Sequence, residues 1–305
     1  MSRLAGWRGE GDDGLEADAP SGHRVWYYAV SPSADKVSTF RVNLSGRRDS
    51  MSSEKATAIV LRVVEFSETS SVVTLFSREF GKLRGLAKGA RRLKGPFESA
   101  LDLLALCRIV FLRKSSDALE LLTEAKLERR FRPAKGDLAA LYAAYYIAEL
   151  LDELTLDHDP HPDLFDAAEH ALATLAEPAP VAVVVLRFEL TALKLLGHLP
   201  QWNQCVECGR PVPTVGRVAF GQLAGGVLCA NCRPGQKQVV AVSAAVVQLL
   251  ARLSEPGDGT PSQQHSSKDE LPDSRTLGET RAVLGRYISH VLGHVPKMHR
   301  YLAGR

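Results

Sequence analysis

The sequence predicts an α+β multidomain protein: a five-stranded barrel, then an α-helical domain with a four-cysteine module inserted into it. Three observations carry this expectation. Short β-branched runs with no intervening helix fill residues 51–132, helical spacing takes over after Pro133, and two Cys-x-x-Cys pairs interrupt the helical text at 201–236.

Composition excludes several classes. With 38 basic against 35 acidic residues and a formal charge of +3, affinity for a polyanion has to come from uneven placement of charge. A hydrophobic share of 45% is enough for real cores. The most apolar stretch, Pro178 to Leu196, is broken by Arg187, Glu189 and Lys194, so no transmembrane helix is expected. Glu10, Asp12, Asp13, Glu16 and Asp18 stand where the apolar centre of a signal peptide would be. A cytoplasmic protein is therefore expected, and in a reducing compartment paired cysteines point to metal rather than disulfide.

In chain order, residues 1–50 carry seven basic and seven acidic side chains and no sustained period. They read as a disordered extension or as the product of a mis-assigned start before Met51. Strands are expected at Ile59–Val64, Val72–Phe76, Lys82–Lys88, Leu104–Leu112 and Leu119–Thr123. Five strands in so short a span, without βαβ alternation, suit the OB type of barrel over 51–132. Cys107 falls within a strand and reads as a small buried hydrophobe.

The helical domain occupies 133–200 and resumes over 237–305. Asp137 is placed to cap a helix whose apolar stripe is Leu138, Leu141, Tyr142, Tyr145, Ala148 and Leu151. A second helix covers Pro162 to Leu175, and a third begins at Pro180 and stops at Gly197. Ser243 to Leu253 forms a fourth. Residues 254–275, rich in Gly, Pro, Ser and Gln, form a polar linker. Thr276-Leu277-Gly278-Glu279 has the form of a capping box that opens a last helix through Leu292.

Three constellations carry chemistry. Cys205 and Cys208, 20 residues, then Cys229 and Cys232, have the spacing of a four-thiolate zinc site. Four sulfurs leave no open position for water, so one zinc would hold structure and not catalyse. Second, Lys82, Arg84, Lys88, Arg91, Arg92 and Lys94 place six cations in thirteen residues without one acid. The run starts on a barrel strand and continues into a glycine-containing loop, as a groove tracking a phosphate backbone requires. Phe66, Phe76, Phe80 and Phe97 flank it; such rings stack on bases or, more often, fill a barrel core. Third, the segment around Arg286, Lys297 and Arg300 mixes basic and apolar residues at helical spacing. It suits either a partner's acidic, aromatic-ended peptide or a charged face that closes the helical domain. Its histidines form no metal pattern and read as surface groups. No phosphate-binding glycine loop, nucleophile elbow or paired-carboxylate frame is present, and no enzyme is expected.

Residues Thr57 to Arg62, Glu68 to Ser77 and Gly81 to Arg91, in that order, resemble the amino-terminal half of RecO proteins. Cys205, Cys208, Cys229 and Cys232 match the family's four-cysteine form. The resemblance implies an OB-type barrel followed by a helical domain with an inserted zinc module. It also implies a mediator of DNA repair and homologous recombination that binds single- and double-stranded DNA and anneals complementary strands. Its implied partners are RecR, single-stranded DNA-binding protein and, indirectly, RecA at the nucleoid. The same residues read without the family also suit another zinc-ribbon nucleic-acid-binding factor or a zinc-stabilised protein-interaction scaffold. Since residues 1–50 lack core-forming periodicity, a chain begun at Met51 is expected to keep its thermal midpoint and DNA affinity; a fall in either would make the extension an integral element.

Overall fold

The computed structural model describes residues 52–92, 95–97, 100–113, 119–255 and 272–302, and the backbone of two short strands before them. Those two, β1 (Glu16–Asp18) and β2 (Arg24–Trp26), pair antiparallel. The expectation of disorder over the rest of residues 1–50, most of the polar linker and Lys94 lie outside the described residues.

Five strands close the barrel: β3 (Ser52–Glu65), β4 (Ser71–Ser77), β5 (Gly81–Ala87), β6 (Leu106–Arg113) and β7 (Glu120–Arg129), in the order β3-β4-β5-β7-β6. All neighbours are antiparallel except β5 and β7. The β5–β7 approach depends on Gly85, where a Cβ would run into the Leu122 side chain. Alternation along the pleat sends Val60, Val73, Leu75, Leu83, Ile109, Phe111 and Leu122 inward to a barrel core of their own. Cys107 belongs to it; its thiol faces the Ala58 carbonyl oxygen at 3.6 Å, and burial pushes it up to about 12.

The outer wall of the barrel is partly covered. Ile59, Leu61, Phe76, Leu104 and Leu106 pack into a larger core with the helices. A bulge between Val60 and Arg62 leaves Leu61 unpaired with β4, so Leu61 turns to the helices while Arg62 is exposed.

Helix α1 (Leu138–Leu154) starts where expected, with the Asp137 carboxylate accepting from the Ala140 amide at 2.9 Å. Its buried face is not the expected stripe. Ala140, Ala143, Ala144, Tyr146, Ile147 and Leu150 go inward beside Ala148 and Leu151, whereas Leu138 is 57% exposed and Leu141, Tyr142 and Tyr145 are half-buried. The helix is apolar nearly all round, so spacing alone does not set its phase; small alanines let neighbouring helices approach. Helices α2 (Pro162–Leu175) and α3 (Val181–Leu195) follow, with Pro180 just before α3 and Gly197 at positive φ beyond it. Glu189 of α3 is fully buried and accepts from the Tyr146 hydroxyl at 2.7 Å, with the Arg281 guanidinium at 3.4 Å. Burial pushes its carboxyl up, against the pull of Arg281 and Tyr146.

The insert carries strands that its sequence did not announce: β8 (Arg217–Gly221) and β9 (Gly226–Leu228), joined by β10 (Val239–Ser243) past the expected boundary at 236. Val218, Phe220, Val227 and Val242 from this sheet enter the same large core as the helices. Trp202 stacks on Phe220 at 5.2 Å, and Phe220 meets Tyr287 edge-on at 6.2 Å. Helix α4 (Ala244–Ser254) follows directly, then α5 (Ser274–Leu292) and a 3-10 turn, Lys297–Tyr301. The cap of α5 is Asp273, which accepts from the Thr276 amide at 2.9 Å and hydroxyl at 2.7 Å. Thr276 is thus inside the first turn, and Glu279 instead accepts from the Ser243 amide at 3.0 Å.

Lys82 fastens the barrel to the helices. Its ammonium donates to the Asp152 and Thr155 carbonyl oxygens at the end of α1 and lies 3.5 Å from the Asp152 carboxylate and 3.7 Å from Asp157. The following loop continues this union: the His158 amide donates to the Lys82 carbonyl at 2.9 Å, and Gly81, at φ +68, lets the Asp159 backbone pass close. Lys82→Ala is expected to destabilise the protein by about 3 kcal/mol, because it strands two carbonyls beneath a lost charge. Chemical denaturation checks this, and an unchanged midpoint would refute the fastening role.

Candidate metal centre and nucleic-acid interface

Each cysteine pair is bent by its own backbone. The Gly209 amide donates to the Cys205 carbonyl at 2.8 Å and the Cys205 amide to the Arg210 carbonyl at 2.8 Å; Gly209 sits at φ +70. The Cys232 and Arg233 amides fold back on the Cys229 carbonyl at 3.2 and 3.0 Å. The Val206 amide, donating to the Val227 carbonyl at 3.0 Å, ties the first turn to β9 just ahead of the second pair.

The result is four sulfurs, from Cys205, Cys208, Cys229 and Cys232, all within 4.8 Å of one another. Sulfurs bound tetrahedrally to one ion at about 2.3 Å stand about 3.8 Å apart. The Cys208 and Cys229 sulfurs are 3.8 Å apart, and no disulfide joins any of the cysteines. Electrostatics favour thiolate at two of the four, Cys208 and Cys205. The Arg210 guanidinium, 3.3 Å from the Cys208 sulfur, holds that thiol down to about 6. At Cys205 burial works upward, but the backbone amides of Cys229, Cys208 and Glu207 outweigh it and the thiol is lowered. Cys232 is pushed up to about 12, first by its hydrogen bond with Cys229. These four groups can hold a metal ion, and a donor set made only of sulfur suits a closed site for a soft or borderline cation.

The basic run divides on the barrel wall. Strand register aligns Ile59, Phe76 and Lys82 in one outward row, and the helices cover that row. Lys82 is therefore 5% exposed and withdrawn from any surface path, contrary to the sequence expectation. The next outward row is Arg62, Thr74 and Arg84, and the one beyond is Val64, Val72 and Leu86. Arg62 and Arg84 are exposed; Arg84 lies 3.3 Å from Asp157 at the margin of the helical cover. Lys88 and Arg92 are exposed on the turn after β5 and form no ion pair among the described residues. Arg91 serves differently: it pairs with Glu65 at 3.1 Å and donates to the Ser67 carbonyl at 3.3 Å, which holds the β3–β4 turn. Sequence reasoning passed over Arg62, although its place two residues before Val64 on an alternating strand was a usable signal.

Of the flanking phenylalanines, Phe76 and Phe97 are core residues and Phe80 packs edge-on against Phe111 at 5.4 Å. Phe66 is 49% exposed. On the helical domain, Lys297 and Arg300 lie on the 3-10 turn against α1, where the Glu149 carboxylate accepts from the Lys297 and Met298 amides at 2.7 and 2.8 Å. Arg300 stands over the Tyr301 ring at 5.1 Å, and that ring lies 5.0 Å from Tyr142. Arg286 is exposed separately on α5. His299 departs from the expectation of surface histidines: its Nε2 is buried without a hydrogen-bond partner among the described residues, and burial, then Arg281, lowers its pKa.

Residues 51–131 match the family model "Recombination protein O N terminal" and residues 135–300 match "Recombination protein O C terminal". The chain belongs to the RecO family. RecO relatives cover it widely. It is 40% identical over 262 residues to the DNA repair protein RecO of Rhodopirellula baltica, an alignment spanning 80% of this chain and 97% of the relative. It is 34% identical to the protein of the same name from Anaeromyxobacter dehalogenans (strain 2CP-C), with 81% and 95% covered, and 33% identical to that of Myxococcus xanthus, with 81% and 95% covered. The boundary between the two RecO family models falls between β7 and α1, where the barrel gives way to helix. Among the described residues no helix is long and apolar enough to cross a membrane.

Proposed function

We propose that this RecO-family chain is a DNA repair and recombination mediator that binds single- and double-stranded DNA on the barrel wall and anneals complementary strands. The observation that carries the reading is the open outer face of β3–β4–β5 and the turn after it. There Arg62, Arg84, Lys88, Arg91 and Arg92 outnumber the neighbouring Glu65, Glu68 and Asp157. Lys94, beyond the described residues, extends the same basic run. Phosphate contacts of this kind position a strand and carry no sequence information, which is what annealing needs. A basic surface lowers the repulsion between two polyanions while base pairing drives the product. No covalent step is required, and no residue is assigned a catalytic role.

One structural zinc held by Cys205, Cys208, Cys229 and Cys232 completes the fold in this reading. Its chemistry is to replace thiol protons and lock both cysteine turns onto the β8–β9–β10 sheet. Family membership supports RecR and single-stranded DNA-binding protein as partners, with RecA loaded onto coated strands, in the cytoplasm at the nucleoid. The exposed Arg286, Lys297 and Arg300, the last beside Tyr301 and Tyr142, are the proposed contacts for an acidic, aromatic-ended protein tail. A fluorescence annealing assay with the pure protein and two complementary strands tests the central activity. Acceleration without nucleotide, irrespective of sequence, is expected. A rate equal to spontaneous pairing would point to a scaffold, and acceleration confined to RNA or to one sequence would point to a different zinc-ribbon factor.

A further inference from the structure

We infer that Asp157 sets the boundary of the DNA path: its carboxylate masks Arg84 as an internal stand-in for phosphate and ends the phosphate track on the side of the helices. This rests on the reading that DNA lies on the β3–β4–β5 face. Exposed ion pairs are common and many do little, so the setting of this one has to decide the matter.

Three observations set it apart. First, the carboxylate occupies the place that a phosphate would take. Arg84 stands in the row Arg62, Thr74 and Arg84, next to the row of Lys82 that the helices cover. The Asp157 carboxylate lies 3.3 Å from the Arg84 Nε, and both side chains reach solvent, at 41% and 46% exposure. A strand arriving at this guanidinium meets a carboxylate already against it. Second, Asp157 is fixed by its backbone. It pairs with Lys82 in a parallel bridge, the His158 amide donates to the Lys82 carbonyl at 2.9 Å, and the Asp159 backbone passes over Gly81, where a Cβ would run into its carbonyl. Three consecutive residues are thus laid along the start of β5. An exposed pair is usually weak because both side chains have to be ordered to form it. Here the acid is ordered beforehand. Third, charge is balanced at this end of β5 and not at the other. Lys82 and Arg84 face Asp152 and Asp157, two cations against two carboxylates. Lys88 and Arg92, past the other end, are exposed and form no ion pair among the described residues. The face therefore draws phosphates toward the turn after β5 and turns them away from the helical margin.

The test is fluorescence-anisotropy binding of the full chain to an oligothymidine over a range of salt, for wild type, Asp157→Asn, Arg84→Ala and the double variant. Asp157→Asn is expected to tighten binding about two- to five-fold, the range of an exposed ion pair. It should also steepen the salt slope by about 0.7, the value of one added phosphate contact on single strands. In the Arg84→Ala background the same substitution should change neither, and the cycle of the two isolates that coupling. Asp159→Asn removes the same charge from the same loop, but its carboxylate is turned to His161 at 3.0 Å, so it should bind as wild type does. The thermal midpoint of Asp157→Asn should hold, since Lys82 keeps Asp152 and its two carbonyls. An unchanged affinity in Asp157→Asn, an equal gain in the Arg84→Ala background, or an equal gain from Asp159→Asn would overturn the mask while leaving the function proposed above intact. A fallen midpoint without tighter binding would overturn it too, and would make Asp157 an anchor of the fold. A wild-type chain that binds no oligothymidine would overturn both.

Discussion

Serine at Cys205 or at Cys232 is expected to abolish zinc binding and to melt much more than the insert. A closed four-thiolate site contributes on the order of 10 kcal/mol to folding, comparable to the whole stability of an ordinary domain. The insert is not a separate bead: Trp202, Val218, Phe220, Val227 and Val242 share one core with α1 to α5, and Phe220 lies against Tyr287 of α5. Loss of the metal should therefore lower the thermal midpoint of the helical domain. The barrel, with an interior core of its own, should outlast it. Metal analysis should give one zinc per wild-type chain and none in either variant, while Cys107→Ala keeps its zinc because that thiol lies in the barrel core, in a different cluster from the four. Full zinc retention by both serine variants would remove the site from the account.

Much of this was legible in the sequence, and the misses have physical causes. The barrel strands were readable because β-branched runs alternate in and out, and α1 to α4 because proline, glycine and aspartate mark their ends. The phase of α1 was not readable, since alanine and leucine on opposite faces are both apolar and only the packing of α2 and α3 selects the alanine side. The strands of the insert are short, and Gly221, Gly225 and Gly226 mask the alternation around them. The spacing of four cysteines pointed to their cluster, which can hold a metal ion, without any of that detail. On the barrel, the pleat puts Lys82 and Arg84 on the same face, and local sequence cannot say that the edge of the helical cover falls between them. In the same way, Asp273 and Thr276 are both good caps. Asp273 prevails because its carboxylate takes the Thr276 amide and hydroxyl together.

The second large effect concerns the DNA path. Lys88 and Arg92 are the cations of the run that are exposed and without an ion pair among the described residues. Arg84 shares Asp157, Arg91 is committed to the turn, and Lys82 is committed to α1. Lys88→Ala with Arg92→Ala should therefore remove phosphate contacts without disturbing a fold-bearing bond, so zinc content and thermal midpoint should not change. Each phosphate contact contributes roughly 0.7 to the log-log dependence of affinity on salt for single strands. Removal of two should flatten the slope by about 1.4 and weaken binding uniformly across sequences. Annealing should slow in step, since the same charges bring the strands together.

The salt slope of this double variant against wild type is the most direct test of the barrel wall as the DNA path. The account predicts a steep wild-type slope that falls by about 1.4 in the variant. An unchanged slope and annealing rate would contradict it and would place the DNA on another surface, with Arg286, Lys297 and Arg300 of the helical domain the next to substitute.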